Sequence, residues 1–254
     1  MAQHGRASLV EKAPSDVTLS IDRQAQHVSI ERYIEAYPPS LFTDDFSRIE
    51  GNELIRGPVS AIVEFEAGSL DVVDWGAHRV DITRELGVAA AGMHSIQDWL
   101  GAKLEAECEL VFCDHKQGEI ADFITFAESA DDVRIGLYHC KASAGAAPGR
   151  RVEDYYEVCG QSIKSIHWFD QKKIRDHISH RIERVRLRFR AGKTLADLDA
   201  FLARTRGKTR RFTVFIVQPG ISASDLGEHQ QLLASSLNMI RRTKGCELRV
   251  IASA

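Results

Sequence analysis

No run of about 18 apolar residues occurs anywhere in the chain, which excludes a transmembrane helix of ordinary length. The opening segment, MAQHGRASLVEKAPSD, lacks the apolar stretch that a secretory signal needs, so export is not expected. Cysteine is scarce and odd in number. The five residues (Cys108, Cys113, Cys140, Cys159, Cys246) form no Cys-x-x-Cys pair, so reduced thiols in a cytoplasmic location are expected. No internal repeat or low-complexity tract is present, which sets aside solenoids and disordered chains. Aromatic residues make up only 7% of the chain and rarely interleave with the basic ones, so the sequence favours contact with a duplex backbone over base stacking. What remains is the composition of a globular protein, 44% hydrophobic and 27% charged over 254 residues.

The net charge of −3 conceals an asymmetry. Residues 1–140 carry 11 basic and 25 acidic side chains, a net −14, whereas residues 141–211 carry 18 basic and 8 acidic, a net +10. Such a division suggests an anionic partner for the middle of the chain, with nucleic acid the first candidate.

Periodicity supplies the elements. Up to about residue 80 the pattern is short and strand-like (VTLSI, VSAIVEF, LDVVDW), with a helix near 29–36, which predicts a mostly β N-terminal section over residues 1–92. Ser95 followed by Asp98 resembles a capping box, and Ile96, Leu100 and Leu104 recur at helical spacing, so a helix is expected over 94–107. Strands follow at 110–113, 119–126 and 133–140, then a Gly/Ala/Pro loop and a helix over 151–168. Farther on, Arg184-Val185-Arg186-Leu187-Arg188-Phe189-Arg190 alternates as a strand would. A helix capped by Thr194, a strand over 213–217, a helix from 222 or 224 to 242 and a strand over 248–251 complete the reading. Residues 93–254 are therefore expected to form one α/β (α+β) domain around a mixed sheet.

One constellation carries chemistry. Asp122 lies on the second of the three strands, and His139-Cys140-Lys141 ends the third. Side chains two apart on a strand share a face, so His139 and Lys141 point together, and an antiparallel neighbour can place Asp122 beside them. An acid, an imidazole and a lysine at one sheet edge suit phosphodiester hydrolysis, where a divalent cation stabilises developing charge and a positioned water attacks. Two other patterns are weaker. Cys108, Cys113 and His115 match no common closed zinc spacing, and Gly192-Lys193-Thr194 lacks the upstream glycine of a phosphate-binding loop and reads as a helix cap.

The α-β-β-β-α order, the aspartate on the second strand and the x-x-Lys triplet closing the third resemble the PD-(D/E)XK restriction-endonuclease-like nuclease superfamily over roughly residues 94–168. The segments GEIADFI, LYHCKAS, PGRRVEDYYEVCGQSIKS and VQPG…LRVIASA are also similar to segments of large bacterial proteins. Some of those appear alongside helicase domains, which suggests mobile-element or phage-defence settings. The resemblance implies a metal-dependent nuclease (Mg or Mn) acting on DNA, with Asp122 holding the metal and Lys141 handling the water. His139 stands where the second acidic ligand belongs, so it takes the place of a metal ligand, and Gln161 supports the site from the following helix. Glu119, Asp98 or Glu105 could add an acid, and Gln97 a weaker ligand. Phosphates would be held by Arg150, Arg151, Lys164 and the stripe Arg184, Arg186, Arg188 and Arg190. Magnesium prefers oxygen ligands, and imidazole suits manganese better and zinc better still. His139 therefore leaves an alternative open: a degenerate nuclease fold that binds DNA or serves as an assembly module for a helicase partner.

Overall fold

The computed structural model describes residues 65–254 throughout and, before them, residues 18–20, 27–36, 40–42, 48–50 and 53–55. Two compact units divide the chain, Met1–Ile62 and Val63–Ala254. The boundary thus falls some way before the expected one at residues 92 and 93. In the first unit β1 (Thr18–Ser20) pairs antiparallel with β2 (His27–Ser29), and α1 (Ile30–Ala36) follows. A small meander joins β3 (Ser40–Phe42), β4 (Arg48–Glu50) and β5 (Glu53–Ile55). The expected strand VSAIVEF lies almost wholly outside the described residues.

The second unit is a mixed α/β structure around one six-stranded sheet. Its elements are β6 (Leu70–Val73), α2 (Ile96–Glu107), β7 (Leu110–Cys113), β8 (Phe123–Glu128), β9 (Asp132–Cys140), α3 (Val152–Lys164), α4 (Gln171–Val185), α5 (Leu195–Arg204), β10 (Thr209–Ser222), α6 (Gln230–Lys244) and β11 (Glu247–Ser253). The strand order is β6-β11-β10-β9-β8-β7. β7, β8 and β9 form an antiparallel meander, while β9, β10, β11 and β6 run parallel, with helical crossovers from β9 to β10 and from β10 to β11. No helix among the described residues is long and apolar enough to cross a membrane.

Alternation along the strands sends apolar side chains to both faces. On one face Leu137, Val214 and Val250 and their neighbours pack against α3, α4, α5 and α6. On the other, Phe123, Tyr138, Cys140 and Val217 pack against α2 through Ile96, Leu100 and Leu104, whose spacing gives that helix one buried stripe. Ser95 caps α2 by accepting the Asp98 N–H, and Thr194 and Asp197 form a reciprocal capping box on α5. Gly192-Lys193-Thr194 therefore serves as a helix entry.

Two expectations need correction. Residues 184–190 are not a strand, because α4 runs to Val185 and Arg186 closes it in the left-handed region at φ 59°. Ile174, Ile178, Ile182 and Val185 follow helical spacing, and Arg184 only begins an alternation after the helix has been set. Beyond it, the chain runs beside β7 through a single bridge, Phe112 to Phe189. The second correction concerns charge. Part of the basic segment answers the acidic one inside the fold: Arg181 pairs with Asp114, Arg190 with Glu105, Arg204 with Glu109 and Glu128, Lys208 with Glu128, and Arg211 with Asp132. The asymmetry read from the sequence is thus partly neutralised by contacts between the two halves, and only the residue left over bears on an external anion.

Candidate metal centre at the end of the sheet

Asp122 enters β8 at the end of the sheet where the parallel strands finish, the place where open α/β sheets bind ligands. Its backbone N–H continues the ladder to the Tyr138 carbonyl at 2.8 Å. The residue is 3% exposed. One carboxylate oxygen accepts the Cys140 N–H at 2.7 Å, and the other accepts from the Gln97 amide on α2 at 2.6 Å. Burial pushes the carboxyl up to about 7, helped by the charges of Glu119 and Glu85 and opposed by the Cys140 and Gln97 hydrogen bonds.

Two further donors converge there. Glu85, His115 and Asp122 each present one ligand atom, all within 4.8 Å of one another. Glu85 is fixed by the start of α2: the N–H groups of Ile96 and Gln97, orphans at a helix N-terminus, donate to the carbonyls of Arg84 and Glu85 at 2.9 and 3.0 Å. His115 lies on the turn between β7 and β8. That turn is held from within by the fully buried Asp114, which accepts from Arg181, from the Ile120 N–H and bonds the His177 ring. Arg181 also donates to the carbonyls of Asp114, Lys116 and Gln117, so one guanidinium shapes the whole turn.

Unmet polar atoms mark the same spot. His115 Nδ1 lies 3.7 Å from Asp122, too far for a hydrogen bond, and is buried with no partner. Gln97 is 1% exposed, and its Oε1 is also buried and unpartnered. A buried polar atom left unmet costs about 1–3 kcal/mol, and His115 Nδ1 beside the Asp122 carboxylate is one such atom. The two carboxylates and the imidazole together form a donor set suited to a divalent cation.

Lys141 flanks the cluster. Its ammonium lies 3.6 Å from Glu85 and 2.6 Å from Glu157 of α3. The hydrogen bond it donates to Glu157, and then the charges of both acids, raise its pKa and keep it protonated. The sheet therefore brings together Asp122 and Lys141, two of the residues singled out from sequence, with Glu85 as the link between them.

His139 is not part of this group. Its ring, on the face packed by α3, bonds Ser165 at 2.7 Å, and burial, then the charge of Lys164, drives its pKa down to about 4. The ring is neutral and bonded to the helix layer, and the side chains that could hold an ion beside Asp122 are Glu85 and His115. Gln161 lies one turn beyond Glu157 on α3, with its Oε1 buried and unpartnered. Asp98 is occupied with Ser95 and Glu105 with Arg190, while Glu119 enters the neighbourhood through its turn, 4.0 Å from His115.

The expected phosphate-binding residues are dispersed. Arg151 is tied to Asp154, Ser143 and the Ala147 carbonyl, Arg150 to Asp225, and Arg190 to Glu105. Lys164, Arg184, Arg186 and Arg188 are exposed, but the arginines surround a helix end and do not line one strand. A separate groove of about 650 Å³ on the α2 side of the sheet is walled by Tyr138, Phe215, Arg134 and Arg249, and none of the metal-centre residues reaches it. Set against protein-family models, curated proteins and solved structures, the chain matches none of them.

Proposed function

We propose that this protein is a DNA-binding, PD-(D/E)XK-like nuclease that hydrolyses phosphodiester bonds with a divalent cation held by Glu85, His115 and Asp122. The observation that carries the reading is the buried Asp122 carboxyl beside two more ligand atoms, one of them the unpartnered His115 Nδ1, and a lysine tethered through Glu85. The two carboxylates suit magnesium, and the imidazole shifts the preference toward manganese. Such an ion supplies Lewis-acid stabilisation of charge on the phosphoryl oxygens and a water acidic enough to attack at neutral pH.

The chain's own residues do the rest. Gln97 and the Cys140 N–H fix the Asp122 carboxylate in one orientation. Lys141 holds Glu85 in place and offers a permanent positive charge to a phosphate or a hydrogen bond to the attacking water. Asp114 and Arg181 keep His115 at the site by fixing its turn.

A second reading is favoured by one observation. The position two residues before Lys141 holds a neutral, buried histidine in place of an acid, which fits a nuclease fold kept as a DNA-binding or assembly module. Plasmid and oligonucleotide cleavage in Mn²⁺, Mg²⁺ or EDTA separates the two. The nuclease reading expects metal-dependent cutting that falls roughly 100-fold or more in Asp122→Asn and Lys141→Met. Salt-dependent DNA binding with no cutting in either metal would replace it with the module. Absence of DNA binding even at low salt would overturn both.

A further inference from the structure

The groove of about 650 Å³ on the α2 side of the sheet has the volume of a site for a small organic molecule. Strand register builds its floor. Residues opposite one another on neighbouring strands share a face, so Thr125, Gly136 and Thr213 form one row across β8, β9 and β10. Tyr138 and Phe215 form the next row, and Arg134, two residues before Gly136, stands on the other side. A row of small residues between larger ones makes the face hollow there.

Glycine is needed in the middle of that row. A Cβ on residue 136 would meet Thr125 Oγ1 at 2.6 Å and the Tyr138 ring at 2.7 Å. Without one, the Tyr138 ring leans over residue 136 and stacks on Phe215, with centroids 4.1 Å apart and planes 1° from parallel. The two rings make one apolar wall. Burial raises the pKa of the Tyr138 hydroxyl and of the nearby Cys108 thiol, so both stay neutral. The charged lining is Asp71, Glu107, Lys103, Arg134 and Arg249, two acids against three bases, a net +1. Lys103 pairs with Glu107 and Arg249 with Asp71. Arg134 is the base left over. It is exposed and forms no ion pair among the described residues, and Asp132, on the same strand, is taken by Ser129 and Arg211.

An uncharged ligand would cover the Arg134 guanidinium without giving it a partner, and a polyanion would outnumber the one unpaired cation. A flat ring carrying a single negative group meets both the stacked wall and Arg134, whose fork suits a carboxylate. We infer that this groove binds a small aromatic anion of single charge, an aromatic carboxylate or its like. The ring lies against Tyr138 and Phe215, the anionic group meets Arg134, and the row of Thr125, Gly136 and Thr213 gives the space between. The inference stands on the groove alone and is independent of the nuclease reading.

The test follows the fluorescence of anilinonaphthalene sulfonate, an aromatic monoanion, on the full chain in EDTA, with naphthoate, naphthalenemethanol and adenosine monophosphate as competitors. Saturable binding is expected, displaced by naphthoate at concentrations at least tenfold lower than by the uncharged alcohol. Arg134→Gln should weaken it roughly tenfold, and Thr213→Phe, which fills the small row, should abolish it. Urea unfolding checks that each variant is folded. Arg134→Gln alters only an exposed side chain and carries the test by itself if Thr213→Phe does not fold. No saturable binding, equal displacement by naphthoate and the alcohol, or wild-type affinity in Arg134→Gln or in folded Thr213→Phe would overturn the inference. Displacement by adenosine monophosphate at lower concentrations than by naphthoate would assign the groove to a nucleotide and overturn the ligand class.

Discussion

Replacing Asp122 by asparagine is expected to make the metal-free protein more stable above neutral pH, because the native carboxylate sits where its charge is unwelcome. The folded carboxyl titrates at about 7, against an ordinary 3.8, chiefly through burial. Below the lower value both folded and unfolded chains hold the proton and nothing is lost. Between the two values the folded state retains a proton that the unfolded state has released, so stability falls as pH rises. Above the higher value the loss is complete. A shift of about three pKa units corresponds to about 4 kcal/mol at 1.36 kcal/mol per unit, an upper figure for a site that can relax or admit water.

Asparagine has no proton to lose. Its oxygen can keep the Cys140 N–H, and its new N–H group can find the Gln97 Oε1, now unpartnered, once that amide turns over. Turning the amide gives back part of the gain, so ~2 kcal/mol at pH 8 is the expected advantage. Urea unfolding in EDTA measures it. Asp122→Asn should exceed wild type at pH 8, the gap should shrink toward pH 5, and added Mn²⁺ should stabilise wild type alone. A variant less stable than wild type at pH 8, or a difference independent of pH, would refute the reasoning.

His139 should give the opposite slope. Its folded pKa of about 4 lies below the ordinary 6.5, so the stability it contributes is present above 6.5 and lost as pH falls toward 4, by about 3 kcal/mol. Unfolding of His139→Asn at pH 7 and pH 4 should show that much less acid loss than wild type, and an unchanged acid slope would count against it. Arg181→Met leaves the buried Asp114 charge unpaired and should cost about 3–5 kcal/mol. Because the same guanidinium holds the His115 turn, Mn²⁺ affinity by calorimetry should also fall, and affinity equal to wild type would show that the turn keeps its shape without it.

The elements that speak through local periodicity were legible in the sequence. The stripe of Ile96, Leu100 and Leu104, the Thr194 cap and the three-strand meander all follow from spacing within a dozen residues. α4 was hidden because its charged, weakly apolar run yields to the louder alternation that begins at Arg184. LDVVDW read as a strand, but its partner β11 lies near the other end of the chain, so its place in the main sheet was invisible. The site divides in the same way. Asp122 and Lys141 were legible because they end neighbouring strands. Glu85 was not, since an irregular loop delivers it by capping α2 with backbone carbonyls, a contact no side-chain pattern encodes. His115 drew notice only beside two cysteines, which obscured its nearness to Asp122.

The most direct test of the metal centre is an anomalous difference map from crystals grown with Mn²⁺ and measured at an energy where manganese scatters anomalously. A single strong peak within about 2.0–2.4 Å of Glu85, His115 Nδ1 and Asp122 is predicted, absent in Asp122→Asn. No peak at millimolar Mn²⁺, or a peak at other residues that persists in Asp122→Asn, would contradict the account.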